Sequence, residues 1–183
     1  MARFAVMAVG GDRPGIVAAV TGVFVEQGCN LEESSMTILH GHFAMMLVVD
    51  APDGVGVTEL EAALAAPAAA FDLVLSVRRL PDGPGRAEEA AAPAGERWTV
   101  SVYGADRPGI VHGLASLLAG QSVNIVDLAT HVIGEADRPV YAMVLEVALP
   151  AGLEASELRS QLEASGEDLG VAVHLHRAEA DVL

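Results

Sequence analysis

The chain has 183 residues, 52% of them apolar, enough for one sizeable core or two small ones. Its 25 acidic and 10 basic side chains leave a formal charge of −15, and every base is Arg, so there is no basic stripe to follow a nucleic-acid backbone or an anionic membrane. Cys29 is the one cysteine, which excludes an intrachain disulfide; with no leader pattern and no apolar run near the ~18–20 residues of a membrane span, a soluble cytoplasmic protein is expected.

Phe4 to Val9 is an apolar run that reads as a buried strand ending at Gly10-Gly11. Asp12 is placed to cap a following helix, and Pro14 fits that helix's first turn, where a missing N–H is harmless. Ile16, Ala19, Val20, Val23 and Phe24 form one apolar helix face, closed by Gly28 in a C-cap role. Asn30 to about His40 and Phe43 to Asp50 read as a hairpin bent at Gly41. After the turn Pro52-Asp53-Gly54, the residues Val57, Leu60 and Leu64 mark a second helix, which Pro67 should stop or bend. Phe71 to Val77 is the fourth strand. Strand, helix, strand, strand, helix, strand is the split βαβ, or ferredoxin-like, order.

Residues 81–96 have a Pro, Gly, Ala and acid composition without apolar periodicity, and read as a linker between units 1–80 and 97–183. The second unit repeats the plan, with strands at Trp98 to Tyr103, Asn124 to Ile133, Val140 to Leu149 and Val171 to Arg177. Its helices are marked by Ile110, Leu114, Leu117 and Leu118, and by Glu154 to about Ala164. The repeat is explicit in the hexapeptide Asp12-Arg13-Pro14-Gly15-Ile16-Val17, which returns as Asp106-Arg107-Pro108-Gly109-Ile110-Val111. Asn30-Leu31 returns as Asn124-Ile125. Phe43-Ala44-Met45 aligns with Tyr141-Ala142-Met143 only if the second hairpin is about four residues longer, carrying Gly134 to Pro139.

Both hexapeptides are strand-to-helix loops. A helix N-terminus offers unpaired N–H groups and partial positive charge, a fitting place for a small carboxylate. Gly10, Gly11, Gly15, Gly104 and Gly109 would let backbone approach a ligand. The Asn30 and Asn124 amides can both donate and accept, so they suit an ammonium and a carboxylate together. The second strand is expected beside the first strand or its helix end, bringing loop and Asn into one site.

The runs Gly11 to Val17 with Gly28-Cys29-Asn30-Leu31, and Asp106 to Val111 with Ser122-Val123-Asn124-Ile125, resemble ACT domains. A tandem pair of them resembles the family of the glycine cleavage system transcriptional repressor. The resemblance implies an α+β fold of two ferredoxin-like (βαββαβ) units, paired side by side into a continuous antiparallel sheet with helices on one face. It also implies a sensor of an amino acid or related small acid, without catalytic residues or cofactor. The family's binding positions fall on Gly11, Asp12, Gly15 and Asn30, and on Ala105, Asp106, Gly109 and Asn124. With their neighbours Gly10, Arg13, Pro14, Leu31, Gly104, Arg107, Pro108 and Ile125, these make the candidate ligand-binding set. The same signature resembles the N-terminal domain of formyltetrahydrofolate deformylase, whose separate catalytic domain this chain has no room to hold. Ser122 in place of Gly28, and Tyr103-Gly104-Ala105 in place of Val9-Gly10-Gly11, make unequal sites the expectation, with the first copy the place to seek ligand.

Other residues have plainer readings. Asp12 and Asp106 could only cap helices, Asn30 and Asn124 could only satisfy backbone, and Arg13 and Arg107 are expected to face solvent. His40-Gly41-His42 and His174-Leu175-His176 invite a metal reading but lack acid or Cys partners at ligand spacing. Cys29 aligns with Val123 and reads as a small apolar residue. The expected partners are a small-molecule ligand, a regulatory protein and a second copy in a homodimer, without direct nucleic acid or membrane. The alternatives are an assembly module with decayed sites and a small metal-dependent enzyme using the His pairs.

Overall fold

The computed structural model describes residues 1–81, 95–133 and 140–178. The chain divides into two compact units, Met1–Gly83 and Pro84–Leu183. Of the expected linker 81–96, residues 82–94 lie outside the described residues, as do Gly134 to Pro139. Glu96 is already part of a strand.

The first unit is β1 (Ala2–Gly11), α1 (Ile16–Glu26), β2 (Asn30–Leu39), β3 (His42–Ala51), α2 (Val57–Phe71) and β4 (Val74–Arg79). The second is β5 (Glu96–Gly104), α3 (Ile110–Gly120), β6 (Asn124–Ile133), β7 (Val140–Leu149), α4 (Ala155–Leu169) and β8 (Val171–Arg177). Both have the expected ferredoxin-like order. The sheets are antiparallel and four-stranded, β2-β3-β1-β4 and β6-β7-β5-β8.

Alternation along the strands sets the layers. Phe4, Val6 and Ala8 of β1 and Phe43, Met45, Leu47 and Val49 of β3 pack under Ile16, Val20, Phe24, Leu60 and Leu64 of the helices. Val100, Val102, Met143, Leu145 and Val147 do the same beneath Ile110, Leu114, Leu118, Leu158 and Leu162. Among the described residues, the opposite face of each sheet carries no helix of its own unit.

Several local expectations are corrected. Asp12 and Pro14 do not open α1: its N-cap is Gly15 at φ 100°, and α3 starts alike from Gly109 at φ 98°. These left-handed values favour glycine. Pro67 does not stop α2, which runs on to Phe71 with Pro67 buried; Phe71 is therefore helical, not the start of a strand. Burial on the core side outweighs the one N–H that proline lacks. The first hairpin turns through two residues, His40 at φ 49° and Gly41 at φ 77°, the pair of positive values that matches strand twist. Six residues separate β6 from β7 where two separate β2 from β3.

Ser122 proves equivalent to Gly28. Both follow a helix in the left-handed region, at φ 56° and 67°. The bonds Gly28 N–H to Val25 O and Cys29 N–H to Phe24 O return as Ser122 to Ala119 and Val123 to Leu118. This is the Schellman closure, and the exchange leaves the way the helix ends unchanged. It also explains Cys29, whose place is the apolar contact after the cap; burial pushes its thiol pKa up.

Candidate functional site

Each β1–α1 type loop ends in an uncompensated helix start. The first helical bond of α1 is Ala19 N–H to Gly15 O, and of α3 Gly113 N–H to Gly109 O. The N–H groups of residues 16–18 and 110–112 thus begin their helices without a helical acceptor. Neither helix has an acid in its first turn. By contrast α2 is closed by its own Glu59, whose Oε2 accepts from Gly56 N–H at 3.0 Å. Asp12 is held by its backbone, N–H to Gly41 O at 2.8 Å, which ties the loop to the β2–β3 turn. Among the described residues its carboxylate accepts no hydrogen bond. Gly11, Asp12, Arg13, Pro14 and Gly15 are exposed, as are Ala105 to Gly109.

The loop glycines have different duties. A Cβ on Gly10 would stand 2.7 Å from Leu73 Cδ2 and 2.9 Å from Asp72 O; one on Gly104 would stand 2.8 Å from Val171 Cγ1. The close approach there is to the chain's own helix-to-strand corner. Gly11 has nothing within 4 Å, and its counterpart is Ala105. Arg13 and Arg107 are exposed as expected, and the Arg107 guanidinium also lies beside Gly170, the C-cap of α4, where a cation meets the negative helix end.

Asn30 and Asn124 open β2 and β6 as expected, and both are exposed. β2 is not beside β1, however; β3 lies between. Asn30 pairs with Asp50, and Asp50 with Arg3, at the start of β1, whereas Gly11 pairs with His42 at its far end. At about 3.3 Å per residue, the loop and the Asn of one unit are roughly 25 Å apart. The second unit repeats this, with Asn124 opposite Ala148 and Gly104 opposite Tyr141. Loop and Asn are therefore not brought together within a unit. Each Asn is followed by a register shift, between Leu31 and Glu33 and between Ile125 and Asp127. These β-bulges had no signature in sequence, and such bulges commonly re-aim side chains beside sites.

The two Asn surroundings differ. Asn30 donates Nδ2–H to Glu32 Oε1 at 2.6 Å. Arg3 donates from Nε and Nη2 to the two Asp50 oxygens at 2.7 and 2.9 Å, which holds the Asp50 carboxyl below its ordinary range. In the second unit Val126 and Ala148 stand where Glu32 and Asp50 stand in the first. Near the loops the contrast reverses. Phe43 is apolar, but its counterpart Tyr141 brings a buried hydroxyl, donated to Met143 Sδ at 3.6 Å. Burial, and then the charge of Asp106, push the Tyr141 pKa up.

His40 sits in a turn, and His174 and His176 on β8 pair with Ser101 and Thr99. Among the described residues no three His, Cys, Asp or Glu side chains come together as a metal site, and no helix is long and apolar enough to cross a membrane.

Each of the two ferredoxin-like units has a glycine-capped helix start after its first strand. A family profile for the ACT domain matches residues 3–78 and again 96–176, and the chain belongs to that family. A UPF0237 protein of Methanopyrus kandleri is 45% identical over 78 residues, 42% of this chain and 82% of that protein. The glycine cleavage system transcriptional repressor of Escherichia coli is 28% identical over 125 residues, 68% of this chain and 62% of the repressor. An unknown protein from Galdieria sulphuraria superposes with a TM-score of 0.80 at 27% identity, covering 97% of this chain and 99% of that one. A putative glycine cleavage system transcriptional repressor has the same fold, with a TM-score of 0.66 at 18% identity and coverage of 97% and 98%.

Proposed function

We propose that this ACT-family regulatory protein senses an amino acid or related small acid and passes the signal to a protein partner, without catalysing a reaction. The observation that carries the reading is the helix start built twice, at Gly15 and Gly109, with free N–H groups and no acid in the first helical turn. A ligand carboxylate supplies the missing negative charge. Loop and Asn lie at opposite ends of one unit, so the two do not share a small ligand within that unit. Asn30 with Glu32 suits a ligand ammonium, and Asn124 beside Val126 does not, so the sites are unequal.

The partner role is drawn from the relative named a transcriptional repressor. A charge of −15 disfavours direct contact with DNA, so a DNA-binding protein is the fitting target, in a cytoplasmic setting. Ligand binding would stabilise the fold and shift partner affinity by its differential affinity for the two states. The test is a thermal-shift screen of amino acids on the full chain, repeated with Asn30→Ala and Asn124→Ala. At least one amino acid should raise Tm, and one of the two variants should abolish the rise. A flat screen with no effect of either variant in cells would end the sensor reading.

A further inference from the structure

The two units differ where the third strand of each turns into its second helix. In the first, Glu59 reaches back from the first turn of α2 to accept from Gly56 N–H at 3.0 Å. In the second, the matching acid Glu157 accepts from Gln161 Nε2 at 3.4 Å, and the N-cap Glu154 makes no side-chain cap bond. The α4 start thus lacks the reciprocal bond that completes α2. It borders an open cavity of about 640 Å³, whose lining includes Glu96, Trp98, Leu149, Pro150, Leu153 and Glu154. Small-molecule sites have volumes of about 300–1,000 Å³. The cavity lies at the Glu96–Leu149 end of the second sheet, whereas the Asp106 loop follows the Gly104–Tyr141 end.

A second observation is independent of the helix. Trp98 stands where the first unit has the fully buried Phe4, and its Nε1–H is buried without a hydrogen-bond partner, the one such side-chain atom among the described residues. Buried donors are matched as a rule, and an unmatched one costs stability that a partner restores. Water cannot satisfy it where it lies. Charge narrows the partner. Glu96 is paired with Arg177 at 3.1 Å, whereas the exposed Glu154 carboxylate has no partner among the described residues. Donors for a ligand oxygen and a free carboxylate for a cation therefore border one space with apolar walls.

We propose that this cavity binds a small zwitterion with an apolar body, the chemistry of a hydrophobic amino acid. The ammonium meets Glu154. The carboxylate takes the open N–H groups at the α4 start and, after a turn of the indole toward the cavity, the Trp98 N–H. The apolar part lies against Leu149, Pro150 and Leu153. A simple anion is repelled by the two carboxylates, and a simple cation leaves the indole N–H unmatched. The site belongs to one unit and uses neither the hexapeptide loops nor Asn30 and Asn124, so its outcome is separate from that of the sensor reading.

Trp98 is the single tryptophan of the chain, so its emission reports on this cavity. The test is a fluorescence titration of the full chain with L-leucine, isocaproate and isoamylamine, which share an apolar body and differ in charge. Leucine should shift or quench the emission saturably. The other two should bind at least about tenfold more weakly, each lacking one charged contact. Glu154→Gln should weaken leucine by a similar factor with unchanged far-UV circular dichroism. The response should persist in Asn30→Ala and Asn124→Ala, which separates it from the sensor sites. Wild-type emission that leucine never alters, equal binding of the three probes, a Glu154→Gln titration like that of the wild type, or loss of the response in Asn124→Ala would overturn the proposal.

Discussion

Asp12 and Asn30 stand at opposite ends of one sheet, since Gly11 pairs with His42 while Asn30 pairs with Asp50 eight positions along β3. The repeat places both residues in each unit, yet the topology keeps them apart. The loop and the Asn of one unit therefore cannot touch the same small ligand.

That separation makes the two Asn positions separately testable. Asn30→Ala and Asn124→Ala, made singly, are expected to weaken binding of the amino acid found in the thermal screen, one more than the other. Each lost hydrogen bond to a charged ligand costs about 1.5–3 kcal/mol, or roughly tenfold and more in Kd. Calorimetric titration checks this, and Glu32→Gln should weaken only ammonium-bearing ligands. Equal binding of glycine and glycolate by the wild type would remove the role of Glu32.

The glycines of the first loop should separate into two kinds. Gly10→Ala drives a methyl into Leu73 and the Asp72 carbonyl, and should cost about 1–3 kcal/mol, as overpacking does. Gly11→Ala points into open space where the other unit already has Ala105, and should change stability by less than about 0.5 kcal/mol. Urea denaturation of both variants distinguishes the roles; equal losses would contradict the packing at the Asp72–Leu73 corner.

Two helix ends invite stabilisation. Ser122 at φ 56° and Asp72 at φ 54° hold left-handed conformations, while the matching positions of the other unit are Gly28 and Gly170. Ser122→Gly and Asp72→Gly should each add about 0.5–1 kcal/mol, and Gly28→Ser should lose a similar amount. Asp72 also places negative charge at a helix C-terminus, which its replacement relieves. Chemical denaturation midpoints would show the gain, and a loss in both variants would refute it.

The Arg3–Asp50 pair sets a pH signature. Its hydrogen bonds lower the folded-state pKa of Asp50. The stabilisation is therefore present above the unfolded value of about 4 and is lost as pH falls through the folded value. The melting temperature of the wild type should exceed that of Asp50→Asn near pH 7, and the difference should close in strong acid. A difference that stays constant from pH 7 to pH 3 would show that the pair adds no stability.

Much was legible from the residues alone. The hexapeptide repeat, the apolar helix stripes and the alternating strands determined two βαββαβ units, because side-chain period and burial are local properties of a sequence. β6, β7 and β8 begin and end where the pattern placed them. The role of Gly28 at a helix end was likewise local. Local propensity misplaces Pro67 and Phe71 because it yields to burial, and it misplaces Asp12 because a glycine three residues later takes the left-handed start that a capping side chain cannot.

Only the tertiary structure decided what stands beside what. Strand order put β3 between β1 and β2, which separated Asp12 from Asn30; no pattern of neighbours along the chain encodes that. Packing at the Asp72–Leu73 corner decided that Gly10 is crowded and Gly11 open. The bulges after Asn30 and Asn124, and the charged or apolar company of each Asn, arise from pairing across strands. The sequence by itself determined the units and the candidate groups; contacts between residues distant in the chain decided which of those groups can act together.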